Sequence, residues 1–212
     1  NDAVLRIFQD QRADVLLASQ NNGLFRFNSK DGQLENYRHT PTQLYGLPSN
    51  ALFDIFEDKY QMLWIASRSG ISMFNPKQTI THIQNFTEPS NVKAANNVKA
   101  VTTDNAGMIW LATAAGVFKQ QSTALDFAPV KLGATYDKLP VISLLANKHL
   151  WLGSAFGLIQ LDPQSGATKH LLGQNKSYAN NRINVIIQEN NQQLWLGTNK
   201  GLKIYHLNND EY

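Results

Sequence analysis

Apolar residues along this chain come in short β-branched bursts, and the bursts recur in register. AVLRIFQD (residues 3–10), ALFDIFED (51–58), VKAVTTD (98–104), PVISLLA (140–146) and INVIIQE (183–189) are five such runs. Each is followed, after a few polar residues, by a second run in which bulky and small residues alternate: VLLASQNNG, LWIASRSG, IWLATAAG, LWLGSAFG and LWLGTNKG. A third run follows the glycine, and in most copies a fourth, as in QLENYRH, TITHIQNF, ATKHLL and, less clearly, LDFAPVKL. Period-2 alternation over four to six residues, broken by Asp, Asn, Gly and Pro, predicts strands joined by tight turns. No segment has helical periodicity. AANNVKAVTT (94–103) contains helix formers, but its asparagines and β-branched run predict a turn leading into a strand.

The copies align on Leu16, Trp64, Trp110, Trp151 and Trp195, spaced 48, 46, 41 and 44 residues apart. Gly70, Gly116, Gly157 and Gly201 each follow the tryptophan by six residues, and Gly23 follows Leu16 by seven. An acidic residue stands six before the aligned position as Asp10, Asp58, Asp104 and Glu189; the fourth copy has a shorter hairpin, ANKHLW, and lacks it. Four antiparallel strands repeating every 40–50 residues or so predict an all-β chain built of β-propeller blades, at roughly residues 1–46, 47–95, 96–137, 138–179 and 180–212. One such sheet cannot bury both of its faces, so each needs a neighbour. The repeated Trp and Gly residues are therefore framework: the indole packs between blades, and the Gly or Ala two residues on lets the sheets approach. The repeated acids suit hairpin hydrogen bonding better than acid–base work.

The chain has 212 residues, of which 42% are hydrophobic, and no apolar run long enough to cross a bilayer. No signal-peptide layout is present, and the first residue is Asn, so the chain is expected to be a mature or excised portion. Its net charge of +3 comes from scattered basic residues rather than a stripe, which argues against a nucleic-acid partner. Zero cysteines exclude disulfides and thiolate metal sites.

The pattern apolar-Trp-[Ile/Leu]-[Gly/Ala]-[Ser/Thr]-x-x-Gly-apolar, preceded by an Asp-containing hairpin, resembles the two-component regulator propeller repeat. Leu47 to Pro76 and Asn180 to Tyr205 carry it most fully. The resemblance covers nearly the whole chain and implies the periplasmic sensor part of a membrane-anchored receptor. The output module of such a receptor is a histidine kinase, often a hybrid, or a diguanylate cyclase; no motif of either is in these residues. The ligand it implies is an extracellular small molecule such as an oligosaccharide, with no cofactor. Propellers of that family have about seven blades. Five are visible here, so the expectation is a fragment of a larger ring, with two bare end faces that would pair in a homodimer; the alternative is a compact five-bladed ring in which the first blade packs on the fifth.

No spacing of the five histidines suits a metal, and no nucleophile elbow, phosphate loop or calcium loop occurs, so no catalytic residue is assigned. His82 and His170 are expected to face solvent on outer strands. Asn50, Asn96, Asn97, Asn180 and Asn181 read as turn residues. The turns between second and third strands differ from copy to copy, as expected where function is carried. Their candidate ligand-binding residues are Arg68 and Lys200, for an anionic group, and Phe156, for stacking. Two other readings stay open: a propeller enzyme of the streptogramin-lyase type, and a protein-binding scaffold like the WD-repeat propellers.

Overall fold

The computed structural model describes residues 2–41, 46–75, 81–84 (as backbone), 95–121, 126–133, 136–137, 139–171, 182–190 and 192–207. They fall into two compact units, Asn1–Val101 and Thr102–Tyr212. The first sheet is β1 Val4–Gln9, β2 Val15–Ser19, β3 Leu24–Phe27 and β4 Leu34–Tyr37; the second is β5 Leu52–Glu57, β6 Leu63–Ser67, β7 Gly70–Phe74 and β8 Thr81–Gln84. The third comprises β9 Val98–Thr103, β10 Ile109–Thr113, β11 Gly116–Gln120 and β12 Phe127–Pro129. The fourth comprises β13 Val141–Ala146, β14 Leu150–Ser154, β15 Gly157–Leu161 and β16 Thr168–His170, and the fifth β17 Ile183–Asn190, β18 Gln193–Thr198 and β19 Gly201–His206. Each sheet pairs its strands in chain order, giving five successive antiparallel meanders, the blades of a β-propeller. First strands of consecutive blades lie against each other, β1 with β5 and β13 with β17, which makes them the inner strands.

Two local devices recur. At the turn between second and third strands a hydroxyl closes the loop. Ser67 Oγ donates to the Gly70 carbonyl at 2.8 Å and accepts from Ser69 N–H, and Ser19, Thr113, Ser154 and Thr198 do the same with their own glycines. The closing glycines Gly70, Gly116, Gly157 and Gly201 have φ between 100° and 136°, a region a Cβ disfavours.

The second device is at the hairpin between first and second strands. One oxygen of Asp58 accepts the backbone N–H groups of Tyr60 and Met62, and the other accepts Trp64 Nε1–H at 2.9 Å. Asp104 repeats this with Ala106, Met108 and Trp110, and Glu189 receives Trp195 Nε1–H at 2.9 Å. The repeated acid thus shapes the hairpin and also supplies the partner that a buried indole N–H requires. In the first blade, where Leu16 replaces the indole, Asp10 keeps the hairpin contacts to Arg12 and Asp14 N–H, and its second oxygen takes the Arg12 guanidinium at 2.7 Å.

Packing follows the expected inter-blade logic within each unit. Leu16, Ala18 and Leu24 of the first blade bury against Leu52, Ile55, Leu63, Ile65 and Phe74 of the second. Trp151 and Leu158 of the fourth pack on Ile183, Ile186, Leu194, Leu196 and Tyr205 of the fifth, with the Trp151 and Tyr205 rings 6.1 Å apart, edge to face. Gly153, two residues after Trp151, marks a close approach. A Cβ there would lie 2.9 Å from Ile183 Cγ2 of the next blade and collide with Ser143 Oγ.

Among the described residues, exposed apolar side chains gather on one face of the first blade and one face of the fifth. On the first blade, the side opposite Leu16 exposes Ile7, Phe27 and Leu34; on the fifth, the Trp195 side exposes Val185, Ile187, Leu202 and Ile204. Trp195 is correspondingly only half-buried, whereas Trp64, Trp110 and Trp151 are buried. His170 departs from expectation: it is half-buried and stacks on Tyr136 with ring centroids 3.6 Å apart, because the ring covers the blade edge instead of facing water. The His82 side chain and Asn180 and Asn181 lie outside the described residues.

Losing the buried clasp should cost more than losing the exposed one. Asp58→Ala leaves an indole N–H and two backbone N–H groups without their acceptor and should destabilise the fold by about 2–4 kcal/mol. Glu189→Ala, at a clasp open to water, should cost less than about 1 kcal/mol. Urea unfolding of the two variants checks this; equal losses would mean that burial of the clasp does not set what it contributes.

Candidate functional site

The turns between second and third strands leave the three candidate ligand residues in different settings. Arg68 is exposed, and its backbone N–H bonds the Ala51 carbonyl where the chain enters β5. Phe156 is half-buried, with its N–H held by Ser154 Oγ. Lys200 is exposed on the matching turn of the fifth blade, its N–H held by Thr198 Oγ1. Phe156 and Lys200 therefore occupy the same position in the turns of adjacent blades in the second unit, and Arg68 stands one residue earlier in the matching turn of the first, where Ser69 takes the clamp. In all three the hydroxyl clamp fixes the backbone and leaves the side chain free to vary in identity. Asn50 acts as the sequence suggests: its Oδ1 accepts His39 N–H at 2.7 Å and its carbonyl accepts Gly23 N–H.

A charged pair sits on the inner strands of the first unit. Arg6 and Asp54 occupy the same repeat position, ten residues before Leu16 and Trp64, where the third and fifth copies have Ala100 and Val185. Arg6 Nε lies 3.1 Å from Asp54 Oδ1, and Asp54 Oδ2 accepts Val101 N–H at 3.1 Å. One carboxylate thereby ties β1, β5 and β9. The register of β5 against β6 shifts between Leu52 and Asp54, and this bulge turns the side chain inward. Burial pushes the Asp54 carboxyl up to about 6, against the pull of Arg6 and of the Val101 and Ile55 N–H groups. Reading framework positions alone passed over this pair. The signal available was two opposite charges at a repeat position that is Ala100, Ser143 and Val185 in the other copies.

At the other end of the strands from Phe156, the fourth blade departs from the repeat. Its hairpin is residues 147–149, against 58–62 in the second blade and 10–14 in the first. Asn147 stands in for the acid. Its Oδ1 accepts His149 N–H at 2.9 Å and Trp151 Nε1–H at a longer 3.3 Å, while its Nδ2 donates to Gln188 Oε1 of the fifth blade at 2.8 Å. Beside the shortened hairpin is a cavity of about 350 Å³, walled by these residues with Lys148, Gln160 and Leu207. Among the described residues no cluster of three or more His, Asp or Glu side chains could hold a metal.

The fold defines the class: a β-propeller of short four-stranded repeats. No family model matches the chain, and no curated protein does. Among solved structures, it is similar to one described as the extracellular domain of hybrid two component system BT3049 of B. thetaiotaomicron, with TM-score 0.77 and 20% identity over 99% of this chain and 29% of that one. The corresponding domain of BT4673 gives 0.76 and 20%, over 98% and 30%. Virginiamycin B lyase of Staphylococcus aureus gives 0.68 and 12%, over 96% and 70%. The chain spans less than a third of the two extracellular domains, and these likenesses establish the fold alone. No helix among the described residues is long and apolar enough to cross a membrane.

Asp54 makes stability depend on pH. The folded chain holds its proton more tightly than the unfolded chain, whose value is 3.8, so this group's contribution is full below about pH 4 and declines as pH rises through about 6. Asp54→Asn should remove that decline. Urea unfolding at pH 4 to 7.5 should give a flatter profile for the variant; parallel profiles would show that another group carries the slope.

Proposed function

We propose that this chain is a non-catalytic, extracytoplasmic ligand-sensing portion of a membrane-anchored signalling receptor of the hybrid sensor kinase or diguanylate cyclase type, with the output module outside these residues. The observation that carries the reading is the likeness, over essentially the whole chain, to two extracellular domains described as parts of hybrid two component systems. It is joined by the resemblance of five registered copies to the two-component regulator propeller repeat. The ligand is an extracellular small molecule such as an oligosaccharide, met by the variable turns bearing Arg68, Phe156 and Lys200. Signalling requires that the ligand bind one arrangement of neighbouring subunits better than another. The exposed Ile7–Phe27–Leu34 and Val185–Ile187–Leu202–Ile204 faces are the surfaces for such association, since apolar patches of this kind are seldom left in water.

A second reading, a propeller lyase, is favoured by the likeness to virginiamycin B lyase, whose structure was solved with quinupristin in an inactive histidine variant. Turnover of quinupristin by the 1–212 chain with added Mg²⁺ would establish it.

In cells carrying the full-length receptor, the combined change Arg68→Ala, Phe156→Ala and Lys200→Ala should abolish the ligand-dependent output while receptor abundance stays constant. An unchanged response would remove these turns from the ligand site. Light scattering of the isolated 1–212 chain should report a dimer at micromolar concentration, and Ile187→Lys with Ile204→Lys should return it to monomer. A strict monomer before substitution would show that both faces are covered within one chain.

A further inference from the structure

From the cavity beside His149 we infer a second, independent ligand site, one that takes a small organic carboxylate. It lies at the first-to-second-strand end of the fourth and fifth blades. The turns bearing Phe156 and Lys200 are at the opposite end, about 16 Å away along a five-residue strand.

Three observations carry the site. First, the repeat is altered here and nowhere else in the same way. Two hairpin residues are missing, the acid is replaced by Asn147, and His149 stands where the second and third copies have Met62 and Met108. The result is a cavity of about 350 Å³, at the lower end of the range of roughly 300–1,000 Å³ for small-molecule sites. Second, the hairpin that walls the cavity has a polar atom left over. His149 Nδ1 is buried with no hydrogen-bond partner, which is costly unless something meets it. The Asn147 amide is engaged elsewhere: its oxygen accepts His149 N–H and Trp151 Nε1–H, and its nitrogen donates to Gln188.

Third, the charge of the lining selects the ligand. His149 and Gln160 offer N–H donors, Lys148 is a cation at the rim, and no carboxylate is among the lining residues. In the other hairpins Asp10, Asp58 and Asp104 hold a negative charge at this end of the blade and would repel an anion; the fourth copy has removed it. Two acids stand close by in the chain: Glu189, which follows Gln188 and accepts Trp195 Nε1–H, and Asp162, whose carboxyl is held below its usual range chiefly by Ser165 and Gln164 N–H in its own turn, with His149 the least of its causes. Trp151 and Leu207 supply apolar wall for a short carbon chain. A carboxylate oxygen would meet Lys148 as a charge-assisted partner and the Gln160 amide N–H, and a turn of the His149 ring would present its buried Nδ1–H to it. No covalent step is involved.

The test is titration of the purified 1–212 chain at low salt with succinate, and separately with uncharged succinamide and with glucose, read by the Trp151 indole N–H resonance and, in the unsubstituted chain, by the ring resonances of His149 as well. Succinate should shift them saturably and the two neutral compounds should not. His149→Met restores the residue of the equivalent hairpins and should weaken succinate about tenfold or more, with Lys148→Gln giving a smaller loss. Resonance dispersion outside the fourth and fifth blades reports that each variant is folded. No saturable shift with succinate, equal shifts with succinamide, preference for glucose, or succinate affinity unchanged in His149→Met would each overturn the proposal. The readout involves no signalling output, so its failure leaves the sensing role standing, and the reverse.

Discussion

Each blade of this protein is a thin antiparallel sheet with apolar residues on both faces, and no sheet can shield both from water on its own. That constraint organises everything else. It is met by laying the indole or leucine face of one blade against the inner-strand face of the next, as Leu16 and Leu24 meet Ile55 and Ile65, and Trp151 meets Leu196 and Tyr205. The indole is the largest unit of that interface, but it brings a polar N–H with it. The acid six residues earlier in the chain resolves the conflict by accepting that N–H while its other oxygen shapes the hairpin. One carboxylate thus couples local turn geometry to long-range packing. The same coupling explains the first blade, where loss of the indole frees an oxygen that Arg12 takes up.

Function has room to evolve where this coupling is silent or broken. The turns between second and third strands are clamped by a hydroxyl and a glycine, so the two residues at each tip carry no framework duty and differ in every copy. Arg6 with Asp54 is a charged pair on inner strands: the exposed guanidinium partly offsets the burial of the carboxylate, which also gains a backbone donor from a third strand. The fourth hairpin is the case of breakage. Exchanging an acid for an amide lengthens the bond to the indole from 2.9 to 3.3 Å but adds a donor, which reaches across to Gln188 in the neighbouring blade.

Ligand sensing by such a fold depends on surfaces that the repeat itself does not use. The variable turns and the altered hairpin stand at opposite ends of the same strands. A rigid stack of sheets between them would transmit a change in blade spacing more readily than a change within a blade, since the interiors are close-packed. The exposed apolar faces of the first and fifth blades are continuous in kind with the interfaces already formed inside each unit, and they offer association as the element a ligand could bias.

The all-β meanders and their fivefold repetition were legible in the amino-acid order, because both depend on short-range periodicity repeated along the chain. The acids were legible as hairpin residues and not as indole partners, since that bond spans two strands and appears only once they pair. His170 was read as solvent-facing because nothing local announces that Tyr136 will lie across its ring. Arg6 with Asp54, 48 residues apart, and His149 with Gln188, 39 apart, became neighbours only when blades were laid side by side. Sequence by itself determined the unit and its repetition, because these are set by local alternation and turn chemistry. Tertiary structure alone decided which side chains share a site, because inter-blade contacts join residues that no local pattern relates.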